Sequence, residues 1–109
     1  MDAGDSPVLD IATDQRADAC VLTVCGEVDY DTADQLDEAL GKATGPLLVV
    51  DLRPVTFMSS AGLAVLIKAQ SRAETRDARF TVVCDGPVHH VITETGLHQI
   101  LSVTDTVDV

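Results

Sequence analysis

The sequence predicts a small α/β domain of order ββαβαβαβ, a mixed sheet with mainly parallel central strands and helices packed on it. Two observations predict it. Short apolar runs rich in Val, Leu and Cys alternate along the chain with longer stretches whose apolar residues recur at helical spacing. One of those runs, Leu47-Leu48-Val49-Val50-Asp51-Leu52, is nearly continuous in apolar residues, which marks a strand covered on both faces, as in a parallel sheet under helices.

Two strand-like stretches open the chain, Val8 to Ala12 and Cys20 to Cys25, and the polar Asp14-Gln15-Arg16-Ala17-Asp18 between them predicts a hairpin. Gly26 ends the second strand. Asp29-Tyr30-Asp31-Thr32 supplies helix-start residues, and Ala33, Leu36, Ala39, Leu40 and Ala43 recur at helical spacing until Gly45-Pro46 stops the helix. After the central strand, a helix from about Ser60 to Thr75 buries Leu63, Leu66 and Ile67 and turns Lys68, Gln70, Arg72 and Glu74 to water. Phe80 to Cys84 is the next strand. Asp85-Gly86-Pro87 then leads into a short helix with Val88, Val91 and Ile92 inward and Gly96 as its stop. A weak last strand follows from Ile100 to Val103.

Strand–helix–strand crossovers are right-handed and give parallel neighbours in a compact sheet. The turns 26–31, 53–60 and 85–87 are therefore expected at one pole, where open α/β sheets commonly bind their ligands. Ser59, Ser60, Asp29, Asp31 and Asp85 are expected neighbours there.

With 109 residues the chain reads as a single domain, its core at about 8–103 behind a short acidic N-terminal tail, and buries roughly two-thirds of the surface its unfolded form exposes. A formal net charge of −11 disfavours nucleic acid and anionic lipid and favours a basic protein partner. The acidic start lacks the positive charge of a signal peptide and no long apolar span follows, so a cytoplasmic, membrane-free protein is expected. Cys20, Cys25 and Cys84 are an odd number in apolar contexts and read as buried, reduced thiols; a redox role would need one of them exposed.

The stretch Val55 to Leu66 carries most of the functional information. Ser59 can cap the second helix with its hydroxyl, Ser60 can point outward, and Gly62 leaves room for a close approach. A phosphate on such a hydroxyl would sit over the free N–H groups of a helix start. Local chemistry also permits a plain capping pair. No catalytic constellation is legible: His89, His90 and His98 lack the spacing of a zinc site, and no Walker loop, G-x-G-x-x-G or nucleophile elbow occurs. No metal and no cofactor is expected. The acidic run Asp29, Asp31, Asp34, Asp37 and Glu38 lacks the order of an EF-hand and reads as a solvated helix start that attracts a basic surface.

Gly26-Glu27-Val28-Asp29, then Val50-Asp51-Leu52, then Val55-Thr56-Phe57-Met58-Ser59-Ser60-Ala61-Gly62-Leu63, in that order and spacing, resemble the STAS-domain family of anti-sigma-factor antagonists across roughly residues 8–103. The resemblance implies a non-catalytic module that binds an anti-sigma factor with serine kinase activity and frees the sigma factor. Phosphorylation by that kinase ends the complex, and a serine phosphatase restores it. The phosphoacceptor falls on Ser60, with Ser59 as the alternative. The family's acidic turn falls on Glu27 and Asp29 with Asp31 close by, and its partner-binding surface on Met58, Ser59, Ala61, Gly62 and Leu63. Many members carry Asp immediately before the acceptor, where this chain has Ser59.

A phosphate brings about −1.5 to −2 charges, which a helix N-terminus tolerates. The same dianion trapped in an interface beside Asp29 and Asp31 would meet like charge and a desolvation penalty of several kcal/mol. Binding is expected to fail without unfolding. A monomer or weak dimer is expected. The alternatives are a STAS scaffold subunit of a larger sensory assembly and a cysteine-based redox-responsive variant.

Overall fold

The computed structural model describes residues 9–108. The expected acidic tail and the expected start of the first strand at Val8 lie outside the described residues. Strands β1 (Asp10–Gln15) and β2 (Cys20–Val28) form the hairpin, with Asp14 and Gln15 inside β1, and the tight turn closes as Arg16 N–H donates to Ala19 O at 2.7 Å. Helix α1 (Ala33–Lys42), strand β3 (Leu47–Asp51), strand β4 (Val55–Met58) and helix α2 (Ser60–Thr75) follow. Strand β5 (Arg79–Val83), helix α3 (Gly86–Glu94), a single 3-10 turn (Leu97–Gln99) and strand β6 (Ser102–Thr104) complete the order.

The sheet runs β1-β2-β3-β5-β6, antiparallel only at the hairpin and parallel thereafter, which puts β3 in the middle. The mixed, mainly parallel α/β architecture is the expected one. It contains one more strand than expected: β4 pairs in parallel with the far end of β2, Gly26 opposite Val55 and Val28 opposite Met58. β2 can serve both β3 and β4 because it is nine residues long.

Successive strand residues face opposite sides of a sheet. Cys20, Leu22 and Val24 of β2, Leu48 and Val50 of β3 and Phe80 and Val82 of β5 pack with Leu36 and Leu40 of α1, Leu66 and Ala69 of α2 and Val88 and Ile92 of α3 in one core. Val21, Val49 and Val83 form a second, small cluster with Leu47 and Val107, to which no described helix contributes. The expectation that helices cover both faces of β3 is thus corrected: the segment after β6 supplies the cover on the second face through Val107. Ile67, expected inside, is 40% exposed. Helix residues advance by about 100°, so a stripe set by Leu63, Leu66 and Ala69 leaves Ile67 at its margin.

Candidate functional site at the amino end of the second helix

Gly26 sets the site up. Its φ of 122° lies where side-chain-bearing residues are strained, and the register between β2 and β4 slips at Gly26/Glu27, leaving Thr56 of β4 as the extra, unpaired residue of the ladder. The acidic turn that follows is held by its own side chains. Asp29 Oδ1 accepts from the N–H of Asp31 at 3.0 Å and of Thr32 at 3.1 Å, and the buried Thr32 hydroxyl donates to Glu27 O at 2.7 Å and accepts from Asp29 N–H at 2.9 Å. Asp29, expected among the partner contacts, spends one carboxylate oxygen on building the loop. Glu27, Asp31 and Asp34 are exposed around it.

β4 delivers the serines. Val55 and Met58 point inward and Thr56 and Phe57 outward, and Ser59 N–H donates to Val28 O at 2.8 Å, which ties the start of α2 to the end of β2. Ser59 is the N-cap: its backbone is extended, its Oγ accepts from Gly62 N–H at 3.4 Å, and its carbonyl accepts from Leu63 N–H at 3.1 Å. Among the described residues this leaves the N–H groups of Ser60 and Ala61 uncapped at the helix tip. Ser60 is the first helical residue and is exposed, whereas Ser59 is half-buried.

Three residues expected on the partner surface lie beneath it instead. Met58, at 5% exposure, Leu63, at 7%, and Gly62 are buried. A Cβ on Gly62 would collide with Met58 Sδ and come within 2.7 Å of Val28 Cγ1, so this glycine lets α2 lie against β2 and β4. What this region exposes is Ser60, Ala64 and Ile67 on α2, Phe57 on β4 and Tyr30 on the acidic turn, with Ala61 half-buried. Tyr30 and Phe57 were not among the expected site residues, although Phe57 lies within the motif and Tyr30 within the acidic turn; an aromatic at each of those places was the available signal.

A groove of about 350 Å³ joins the two halves, lined by Tyr30, Ala33 and Asp34 from the α1 side and by Ala61, Ala64 and Lys68 from α2. Asp37 closes its floor as an α1–α2 clamp, accepting from Lys68 Nζ and Arg72 Nη1 at 3.1 Å each. The hydrogen bond from Lys68 holds the Asp37 carboxyl below the usual range. A larger cavity, about 490 Å³, opens by Gly41 and Arg76 at the other end of α2, away from Ser60.

Arg53 is held protonated first by the hydrogen bond and charge of Asp51, and to a smaller degree by the charges of Asp85, expected beside the serines, and Asp105. Arg53 forks onto the buried Asp51, Nε to Oδ1 at 3.0 Å and Nη2 to Oδ2 at 2.9 Å, and these hydrogen bonds hold the Asp51 carboxyl low. Cys20 and Cys84 are buried as expected, and burial pushes the Cys84 thiol up to about 11. Cys25 departs from the expectation: it ends the regular part of β2 on the outward side, opposite Asp10, and is exposed. Among the described residues no three His, Cys, Asp or Glu side chains gather to hold a metal ion, and no helix is long and apolar enough to cross a membrane.

The STAS domain family model matches residues 10–109. The chain belongs to the STAS domain family. An anti-sigma-F factor antagonist, RsfB, from Mycobacterium tuberculosis is 38% identical over 91 residues, 81% of this STAS chain and 72% of the relative. An anti-sigma F factor antagonist from Paenibacillus polymyxa is 28% identical over 103 residues, 89% of this chain and 87% of that one. Among solved structures, an anti-sigma factor antagonist from Mycobacterium paratuberculosis superposes with a TM-score of 0.85 at 31% identity, over 99% of this chain and 93% of that one.

Proposed function

We propose that this STAS domain is an anti-sigma-factor antagonist whose Ser60 is the switch. In its unmodified form it docks the tip of α2 and the acidic turn onto an anti-sigma factor with serine kinase activity and so frees the sigma factor. The kinase transfers phosphate to Ser60 Oγ, the complex dissociates, and a serine phosphatase resets the chain. It acts in the cytoplasm, as a substrate and binding partner and not as a catalyst.

The observation that carries this reading is the exposed Ser60 hydroxyl on the first residue of α2, within a surface shared with an acidic, internally braced turn. The names of the relatives supply the partner class. A phosphate there can accept from the uncapped N–H groups of Ser60 and Ala61, so the fold bears it. Against a docked partner the same dianion loses its water beside Glu27 and Asp31, and each 1.4 kcal/mol of that penalty is tenfold in affinity. Ser59 is the poorer acceptor because its hydroxyl is half-buried and engaged as the cap.

The test is calorimetric titration against a purified serine-kinase anti-sigma factor of the same organism. Ser60→Ala is expected to bind with or without ATP, and Ser60→Asp to bind at least tenfold more weakly. Equal affinities would remove the switch. A phosphate mapped to Ser59 by mass spectrometry would move the acceptor and leave the rest standing.

A further inference from the structure

Tyr30 is the chain's single tyrosine, and it stands 86% exposed at the tip of the acidic turn. The turn beneath it is braced: three of its four residues, Asp29, Asp31 and Thr32, are fixed through the Asp29 carboxylate and the buried Thr32 hydroxyl. Little backbone freedom remains to be lost when something binds there. The ring borders the groove that continues to Ala61 and Ala64 on α2, one residue from Ser60. Exposed Asp31 and Asp34 flank it in a chain of net charge −11.

We propose that Tyr30 is the anchor of the partner interface, and that it receives an arginine of the anti-sigma factor, whose guanidinium plane stacks on the ring while its N–H fork meets Asp31 or Asp34. This deepens the functional reading above and rests on it. The choice of occupant follows from charge and shape. An aromatic face attracts a cation within about 6 Å, and a planar guanidinium can stack and donate in two directions at once, which an ammonium cannot. Tyrosine and arginine are also the side chains on which binding energy concentrates at interfaces, because they bring large area at small entropic cost. Tyr30 contributes almost nothing to the core, so its replacement leaves the fold intact.

Titrations without ATP against each purified serine-kinase anti-sigma factor encoded in the source genome decide the matter, with Tyr30→Ala, Tyr30→Phe and Ser60→Asp run in parallel. Tyr30→Ala is expected to lose at least tenfold in affinity, chiefly through faster dissociation, while Tyr30→Phe stays within threefold of the unsubstituted chain. Because there is one tyrosine, 3-fluorotyrosine labelling gives a single ¹⁹F resonance, and it should shift on complex formation. If Tyr30→Ala binds within twofold while Ser60→Asp loses binding, the anchor is overturned and the switch stands. An equal loss in Tyr30→Phe overturns the stacking contact. If the unsubstituted chain binds none of these proteins, or Ser60→Asp binds as well as it does, the functional reading falls and the anchor with it.

Discussion

Gly62 is the position where one methyl group would do most harm. Its Cβ would have to displace Met58 Sδ and Val28 Cγ1, and Val28 is a fully buried, β-branched neighbour with no room to turn. Gly62→Ala is expected to lose about 1 to 3 kcal/mol from overpacking, despite alanine's better helix propensity, as a fall in the urea midpoint at unchanged slope. Thr32 is the counterpart on the acidic turn. Thr32→Val leaves Glu27 O and Asp29 N–H without the hydroxyl that served them and should cost about 1 to 3 kcal/mol in the same measurement. The three thiols separate at this scale too. One thiol, Cys25, should react with a thiol reagent in the native chain and three in urea, since burial shields Cys20 and Cys84 and keeps the latter protonated below its pKa of about 11. Two fast thiols in the native state would contradict the burial.

At the scale of elements, α2 is both a core helix and the presenter of the site. Its cap, Ser59, and its proposed phosphoacceptor, Ser60, are adjacent residues with separable roles. Ser59→Ala should destabilise by about 0.5 to 2 kcal/mol through loss of the cap, whereas Ser60→Asp, at an exposed first turn where the dipole favours negative charge, should leave the melting temperature within a few degrees. A large drop in Ser60→Asp would mean that its loss of binding reports unfolding. Most elements were legible because their apolar periods are long: α2 spans the predicted residues, and β3 and β5 differ from prediction by one residue at an end or two. β4 was not. It is four residues long, and its in-out-out-in burial follows from the slip at Gly26, which no local alternation encodes. Ile67 was misplaced because a helical stripe read from sequence has no definite width until the sheet beneath it is known.

For the molecule as a whole, a net charge of −11 surrounds the fold with a negative field, and a few carboxylates are recruited to hold the fold. Arg53 keeps the Asp51 carboxyl low and Lys68 the Asp37 carboxyl low. A carboxylate with a depressed folded pKa stabilises above its unfolded value of about 4 and loses that contribution as pH falls through the folded value. Stability should therefore be flat from neutral pH down to about 5 and decline below about 4, and Asp51→Asn should lessen that decline. An acid limb unchanged in Asp51→Asn would show that this pair does not shape it. Glu27 and Asp31, the charges proposed to meet the partner, are exposed, so added salt should slow association with a basic partner while leaving the melting curve little changed.

What the sequence determined by itself was the alternation of strands and helices, the pole at which the loops emerge, and the pair of serines where a strand-helix joint meets an acidic turn. Periodicity, punctuation by Gly and Pro, and motif spacing are local properties, and they survive in a string of letters. Which side chains reach solvent was decided only by the tertiary structure. Met58 and Gly62 belong to the motif yet pack beneath the surface, Asp29 turns inward to brace its own loop, and Tyr30, Phe57 and Cys25 stand outside. The physical reason is that exposure is settled by what lies across the sheet, here a register slip between β2 and β4 and a helix seated on a glycine, and those neighbours are distant along the chain.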